Sequence, residues 1–165
     1  MKDSWLDRYC LAKFTMGMTI EFPVLIGGGI LGLIFSWQRF PFYPLANTLG
    51  VVLLVVGYVI HLGYAHKELV KHGAHAHCHS LQAMKLVTSG PYSKVRHPGY
   101  SGLFLIYFGL ALVFGIVWML IPAAIFSVLT CLTATKEEQL LRERFGGEYE
   151  EYERRVPWRF IPRII

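Results

Sequence analysis

Long apolar runs separated by short charged stretches dominate the chain. Residues 45–64 contain no Asp, Glu, Lys or Arg. Residues 19–36 are nearly as apolar, interrupted near their start by Glu21 and Pro23. Residues 100–135 carry no formal charge at all. The hydrocarbon core of a bilayer is ~30 Å thick and is crossed by ~20 helical residues. As one helix the third run would be ~54 Å long, so it has to turn back on itself. Gly115 is the expected turn, with Pro122 a kink near the start of the return arm. The pattern predicts an all-α integral membrane protein with four spans, over about 19–36, 45–64, 100–114 and 116–135, the last two forming a tight helical hairpin. Beyond Thr135 the pattern changes. Leu141, Phe145, Tyr149 and Tyr152 recur at spacings of four, four and three in a charged stretch. That is one apolar stripe on a C-terminal amphipathic helix over 136–155, laid against the cytoplasmic face and open to interruption at Gly146-Gly147.

Charge gives this bundle a direction. Fifteen of the sixteen Lys and Arg fall on one side of a four-span arrangement, and only Arg39 falls on the other. By the positive-inside rule the crowded side, with both termini, is cytoplasmic. Trp37, Phe40, Phe42 and Tyr43 then form an aromatic belt at the opposite interface. The net charge of +5 would suit a nucleic acid in a polar chain, but hydrophobic residues make up 54% here and charged ones only 16%. Membrane lipids are the expected partners, and nucleic acid is not. The length suits a single domain over 1–165. Three scattered cysteines, Cys10, Cys78 and Cys131, suit neither a disulfide framework nor a Cys-only zinc site. The mixed charges of residues 1–13 predict no cleavable signal.

Several motifs have a plain reading beside a sharper one. Gly27-Gly28-Gly29-Ile30-Leu31-Gly32 satisfies GxGxxG, but it lies inside a span with no preceding strand. Helix packing through Gly28 and Gly32 is the stronger reading. The tract from His72 to His79 has metal-ligand residue types. No HExxH or second cluster accompanies it, so a solvated loop is preferred and no metal is assigned. Glu21, close to the cytoplasmic end of the first span, is a candidate by its location alone, although from there it can reach the headgroups.

The richest segment runs through Ser89-Gly90-Pro91-Tyr92 and Arg96-His97-Pro98-Gly99-Tyr100-Ser101-Gly102. Gly90-Pro91 is a turn, and Pro98 opens the third span at a position where its missing N–H costs nothing. Turn chemistry does not account for Tyr92, Arg96, His97 and Tyr100 gathered at one helix entrance. A positive dipole end beside aromatic side chains suits a ligand with a carboxylate and a flat ring.

Ser-Gly-Pro-Tyr, then Arg-His-Pro-x-Tyr-x-Gly, an apolar hairpin, Lys136-Glu137-Glu138-x-x-Leu141 and Phe145-Gly146-x-Glu148-Tyr149-x-x-Tyr152 together resemble the isoprenylcysteine carboxyl methyltransferases and the related phospholipid N-methyltransferases. The resemblance covers about residues 84–156. It implies S-adenosyl-L-methionine bound on the cytosolic side, with contacts from Met84, Lys85, Leu86, Val87, Tyr92, His97, Pro98, Gly99, Tyr100 and Glu137. Arg96, His97 and Glu138 are the implied catalytic group. Two positions depart from the family pattern: Met84 replaces a usual His, and Thr133 replaces an Arg that serves a carboxylate acceptor in the prenylcysteine enzymes.

The reading from sequence is therefore a membrane-embedded methyltransferase acting on a lipophilic acceptor that enters from the bilayer. The acceptor would be a prenylcysteine carboxylate, a phospholipid amine or a thiol. The alternatives are an NADPH-dependent sterol-type reductase and a non-catalytic lipid-binding or heme-related protein on the same scaffold.

Overall fold

The computed structural model describes residues 8–10, 13, 20–73 and 85–164. Its regular elements are helical: α1 (Glu21–Ile34), α2 (Tyr43–Tyr58), a π-helical segment Val59–His66, α3 (Lys67–Lys71), a 3-10 turn Gly90–Ser93, α4 (Pro98–Phe114), a second 3-10 turn Val117–Met119, α5 (Leu120–Phe145) and α6 (Gly147–Arg155). Among the described residues the extended pairing is confined to a single bridge between Arg39 and Ile116.

Two continuous rods, Tyr43–Lys71 and Val117–Phe145, are long and apolar enough to cross a membrane, and α1 and α4 are shorter apolar helices. The first rod outruns the expected 45–64 at both ends because no breaker stops it before His72. It passes instead through the π-helical segment. The expected boundary at Thr135 is also absent. Lys136 to Arg142 are strong helix formers, so α5 carries the apolar arm straight into the charged stretch. The break comes at Gly146, whose φ of +53° ends α5 and starts α6. The hairpin turn is where the apolar run required it. Gly115 caps α4 in the left-handed region at φ +68°. Pro122 falls in the first turn of α5, where its missing N–H is not needed.

Helices α2 and α4 meet backbone to backbone along a glycine seam. A Cβ on Gly57 would stand 2.7 Å from the Gly102 carbonyl oxygen, and one on Gly109 would stand 2.9 Å from the Leu54 nitrogen. No side chain fits such gaps, so glycine is required for the approach. Asn47 closes the far end of the seam by donating to the Val113 carbonyl. On α1 the close contacts come from Gly29, pressed on Phe114, and Gly32, against Ile116. Gly28 makes only an ordinary contact with Met119, so the packing pair is 29/32 rather than 28/32.

The core lies between α1, α4 and α5, with Leu25, Leu103, Ile106, Tyr107, Ile116 and Met119 all buried. The outward faces are apolar too: Leu45, Val55, Ile34 and Val128 are each more than half exposed. Contiguous exposed apolar surface on this scale marks contact with lipid or another apolar partner.

The two ends of the bundle are distinct. At one end the loop after α1 joins the hairpin turn, with the Phe40 N–H donating to the Gly115 carbonyl and the Val117 N–H to that of Gln38. At the other end residues 85–97 meet α6 and the segment after it. The Arg96 N–H donates to the Trp158 carbonyl at 2.9 Å and the His97 N–H to that of Arg159 at 2.8 Å.

Candidate active site

Pro98 starts α4 and leaves His97 at its N-cap with non-helical backbone angles. This sharp entry points the Arg96 and His97 side chains across to α5, where Glu137 and Glu138 face inward, 3% and 0% exposed. The two carboxylates have different surroundings. The Glu138 carboxylate accepts from Arg96 Nε at 2.9 Å, His97 Nε2 at 3.1 Å and Arg159 Nη2 at 2.7 Å. The Glu137 carboxylate accepts from the Tyr100 hydroxyl at 2.8 Å, with His97 Nδ1 at 3.7 Å. The His97 ring stacks on Tyr100, centroids 5.4 Å apart and 12° from parallel.

Arg96 is also tied to the segment after α6, which returns as a strap. Its Nη1 donates to the Val156 carbonyl at 3.1 Å and to that of Pro157 at 2.9 Å. Ser101 Oγ donates to the Phe160 carbonyl at 2.6 Å. The guanidinium therefore spends its donors on Glu138, the strap and, at 3.4 Å, Glu153, a use suited to a brace. Arg142 holds Glu153 through two nitrogens, completing the outer rim.

Electrostatics separate the roles further. Burial pushes the Glu138 carboxyl up. The His97 contact and the Arg96 charge outweigh it and bring the carboxyl down to about 2. Burial and the Glu137 charge raise the Tyr92 phenol well above its usual range, so it stays neutral and keeps its O–H to donate. The Tyr152 hydroxyl donates to the Tyr92 carbonyl at 2.8 Å and fixes that turn.

Tyr92, Arg96, His97, Pro98, Tyr100, Glu137 and Glu138 thus come together at one end of the bundle. Val87 is buried beside Tyr92, Ala65 and Leu69, and Leu86 packs on Leu141, Tyr149, Tyr152 and Val156. Lys85 is exposed. The Gly99 carbonyl faces His61 Nδ1 at 2.9 Å, a contact made from the π-helical segment, a distortion often found at functional sites. Met84 and most of the His72–His79 tract lie outside the described residues. Tyr149 lies in the cluster under Leu86, and its buried hydroxyl has no hydrogen-bond partner among the described residues.

A second polar group sits deeper in the bundle. Lys13 and Glu21, 3% and 1% exposed, form an ion pair at 2.9 Å. Lys13 also donates to Thr130 Oγ1 at 2.7 Å, and the Tyr9 hydroxyl donates to Glu21 at 2.8 Å. Glu21 therefore does not reach toward the headgroups, as its position suggested. It is enclosed by the arm that precedes it. Lys13, counted from sequence as a surface charge of that arm, was missed as an interior residue. The legible signal was Glu21 itself, a carboxylate in an apolar run that needs a cation. The pair lies near the face of α5 that carries Thr133, which is buried with its Oγ1 3.7 Å from Cys10 Sγ.

The donor set fits a sulfonium cofactor. A buried carboxylate suits the cationic part, phenol rings suit a positive centre, and an orphaned hydroxyl over an apolar floor suits a ring with polar edges.

A family model described as phospholipid methyltransferase matches residues 45–148. A probable protein-S-isoprenylcysteine O-methyltransferase of Oryza sativa subsp. indica is 32% identical over 127 residues, 69% of this chain and 60% of the relative. The protein-S-isoprenylcysteine O-methyltransferase of Schizosaccharomyces pombe is 37% identical over 73 residues, 44% of this chain and 31% of the relative. A Delta(14)-sterol reductase of Mus musculus is 30% identical over 82 residues, 48% of this chain and 20% of that protein. The chain thus spans 60% of the length of the rice relative and less of the other two.

Proposed function

The chain belongs to the phospholipid methyltransferase family, and we propose that it is a multi-pass membrane enzyme that transfers a methyl group from S-adenosylmethionine to a lipophilic acceptor. The observation that carries this reading is the division of labour between the adjacent carboxylates. Glu138 is neutralised by guanidinium groups and braces the entrance to α4. Glu137 is held by a tyrosine hydroxyl in an aromatic setting, surroundings that suit a cationic group.

S-adenosylmethionine, when bound, supplies a methyl group on a cationic sulfur. Glu137, with the Tyr92 and Tyr100 rings, attracts and orients that positive centre. Leu86, Val87 and Tyr149 form the apolar side of its cleft. The cofactor would supply a methyl carbon open to in-line displacement, the carbon–sulfur electron pair staying on sulfur as the acceptor's lone pair bonds to that carbon. Such a step depends mainly on alignment and on exclusion of water. A carboxylate or thiolate acceptor needs no base. A phospholipid amine first gives up a proton, and His97 Nδ1, the ring nitrogen that does not donate to Glu138, takes it up. Glu138 is too weak a base for that task, with its carboxyl at about 2, and serves to position Arg96 and His97.

The acceptor enters sideways from the bilayer, and its head meets the Lys13–Glu21 pair below the cofactor. That pair is already neutral, so a zwitterionic head or an uncharged group is accommodated at less cost than a bare carboxylate.

Thermal shift of the detergent-solubilised chain with S-adenosylhomocysteine, NADPH and heme tests the reading. Stabilisation by S-adenosylhomocysteine alone is expected. Glu137→Ala should weaken that binding ten- to a hundredfold, the usual loss for a charged hydrogen bond of ~1.5–3 kcal/mol. Stabilisation by NADPH alone would replace the methyltransferase with the reductase.

A further inference from the structure

Three arginines at the site end of the bundle are paired with acids: Arg96 and Arg159 with Glu138, and Arg142 with Glu153. Three further cations gather at one place. Lys94, Arg155 and Arg163 line an open groove of about 570 Å³ floored by Pro157, Trp158 and Pro162. No Asp or Glu lines the groove. None of the three cations has an acidic partner among the described residues. Three cations gathered around one hollow with no acid in its lining suit an external anion.

The depth of the groove identifies the anion's source. Lys94 lies just ahead of Pro98, where the apolar helix α4 begins. The strap beneath the groove is fastened to the first turn of that helix, through Ser101 Oγ and the Phe160 carbonyl. The groove therefore lies level with the mouth of the span, where lipid headgroups sit. The same segment turns Ile161 and Ile164 outward, 46% and 73% exposed, beside an indole at the groove floor. Basic, aromatic and aliphatic groups in one short segment match the layered chemistry of a bilayer interface.

We propose that this groove binds the phosphate headgroup of an anionic phospholipid from the adjacent leaflet, at a site separate from the methyl-transfer cleft. Lys94, Arg155 and Arg163 surround the phosphate, Trp158 lies against the glycerol region, and Ile161 and Ile164 contact the acyl chains. Because the strap also supplies the carbonyls that hold Arg96, an occupied groove steadies the site from outside.

The test uses the full chain in a neutral detergent with short-chain phosphatidylglycerol, phosphatidylcholine of the same chain length, and inorganic phosphate. Phosphatidylglycerol should bind and raise the melting temperature, and the effect should weaken with salt. Lys94→Gln, Arg155→Gln and Arg163→Gln should each cost about fivefold in affinity, and the triple variant on the order of a hundredfold. Arg39→Gln, at the opposite end, should change nothing. Equal binding of phosphatidylcholine would overturn the proposal, as would phosphatidylglycerol binding that survives the triple substitution, which would put that lipid in the acceptor path. Inorganic phosphate binding as tightly as the lipid would make the site one for a soluble anion and overturn the lipid source. If the triple variant melts early without lipid, the three single variants decide the matter by their affinities.

Discussion

At the scale of single residues, neighbouring positions on α5 have been given opposite tasks, and each can be tested. Glu138 is held far below the ordinary carboxyl value of 4.5, at about 2. A depressed value in the folded state means stability that is fully present above the unfolded pKa and lost as pH falls through the folded one. The contribution is of the order of 3 kcal/mol. Melting temperature should hold down to about pH 5, then drop between there and pH 2, and Glu138→Gln should flatten that drop while lowering the plateau. Tyr149 gives a prediction with two opposite signs. Its buried hydroxyl has no hydrogen-bond partner among the described residues, so Tyr149→Phe should leave the ligand-free melting temperature unchanged or higher. Binding of S-adenosylhomocysteine should weaken. Unchanged binding would remove this hydroxyl from the cofactor cleft. Tyr92, Arg96, His97 and Tyr100 were legible in the sequence as a group at one helix entrance, and Glu137 and Glu138 through the family resemblance, just past the apolar run. The sequence could not tell brace from cofactor contact. That distinction depends on which carboxylate the strap's Arg159 reaches, a contact across 21 positions.

At the scale of elements, apolar periodicity located the hairpin and its Gly115 turn but misjudged where rods end. A hydropathy pattern records the polarity of the surroundings. A helix stops only when its backbone is interrupted, as at Gly146. The glycine seam between α2 and α4 was not read at all. Gly50, Gly57, Gly102 and Gly109 are far apart in sequence, and only the fold sets them opposite one another. The arm before α1 is fastened by the Lys13–Glu21 pair, which also engages Tyr107 of α4 and Thr130 of α5. Removing one member leaves a buried charge without its main partner. Lys13→Met or Glu21→Gln alone should destabilise the solubilised protein by ~3–5 kcal/mol, and the double substitution by clearly less. Denaturation of the two single variants and the double variant measures the coupling. Strict additivity would show that the pair does not hold the arm.

At the scale of the whole molecule, the bundle has a nearly uncharged end, built from the loop after α1 and the hairpin turn, and a heavily charged end carrying the site. The charge count along the chain anticipated that asymmetry. If the charged end faces the cytosol, a cysteine replacing Lys94 should react with a membrane-impermeant maleimide only when the cytosolic face is open. A cysteine replacing Trp37, 41% exposed at the other end, should react only from the opposite side. Labelling of both from one side would refute the four-span topology. The strap has a different consequence, in time. Arg96 depends on carbonyls 60 and 61 positions further along the chain. Val156 and Pro157 follow the second arm of the hairpin along the chain, so that arm leaves the ribosome before they do. Throughout that interval the nascent protein has its helices but no braced guanidinium and no fixed entrance to α4. The braced entrance to α4 therefore forms only once the strap has been made, and a chain cut short before Val156 would lack it.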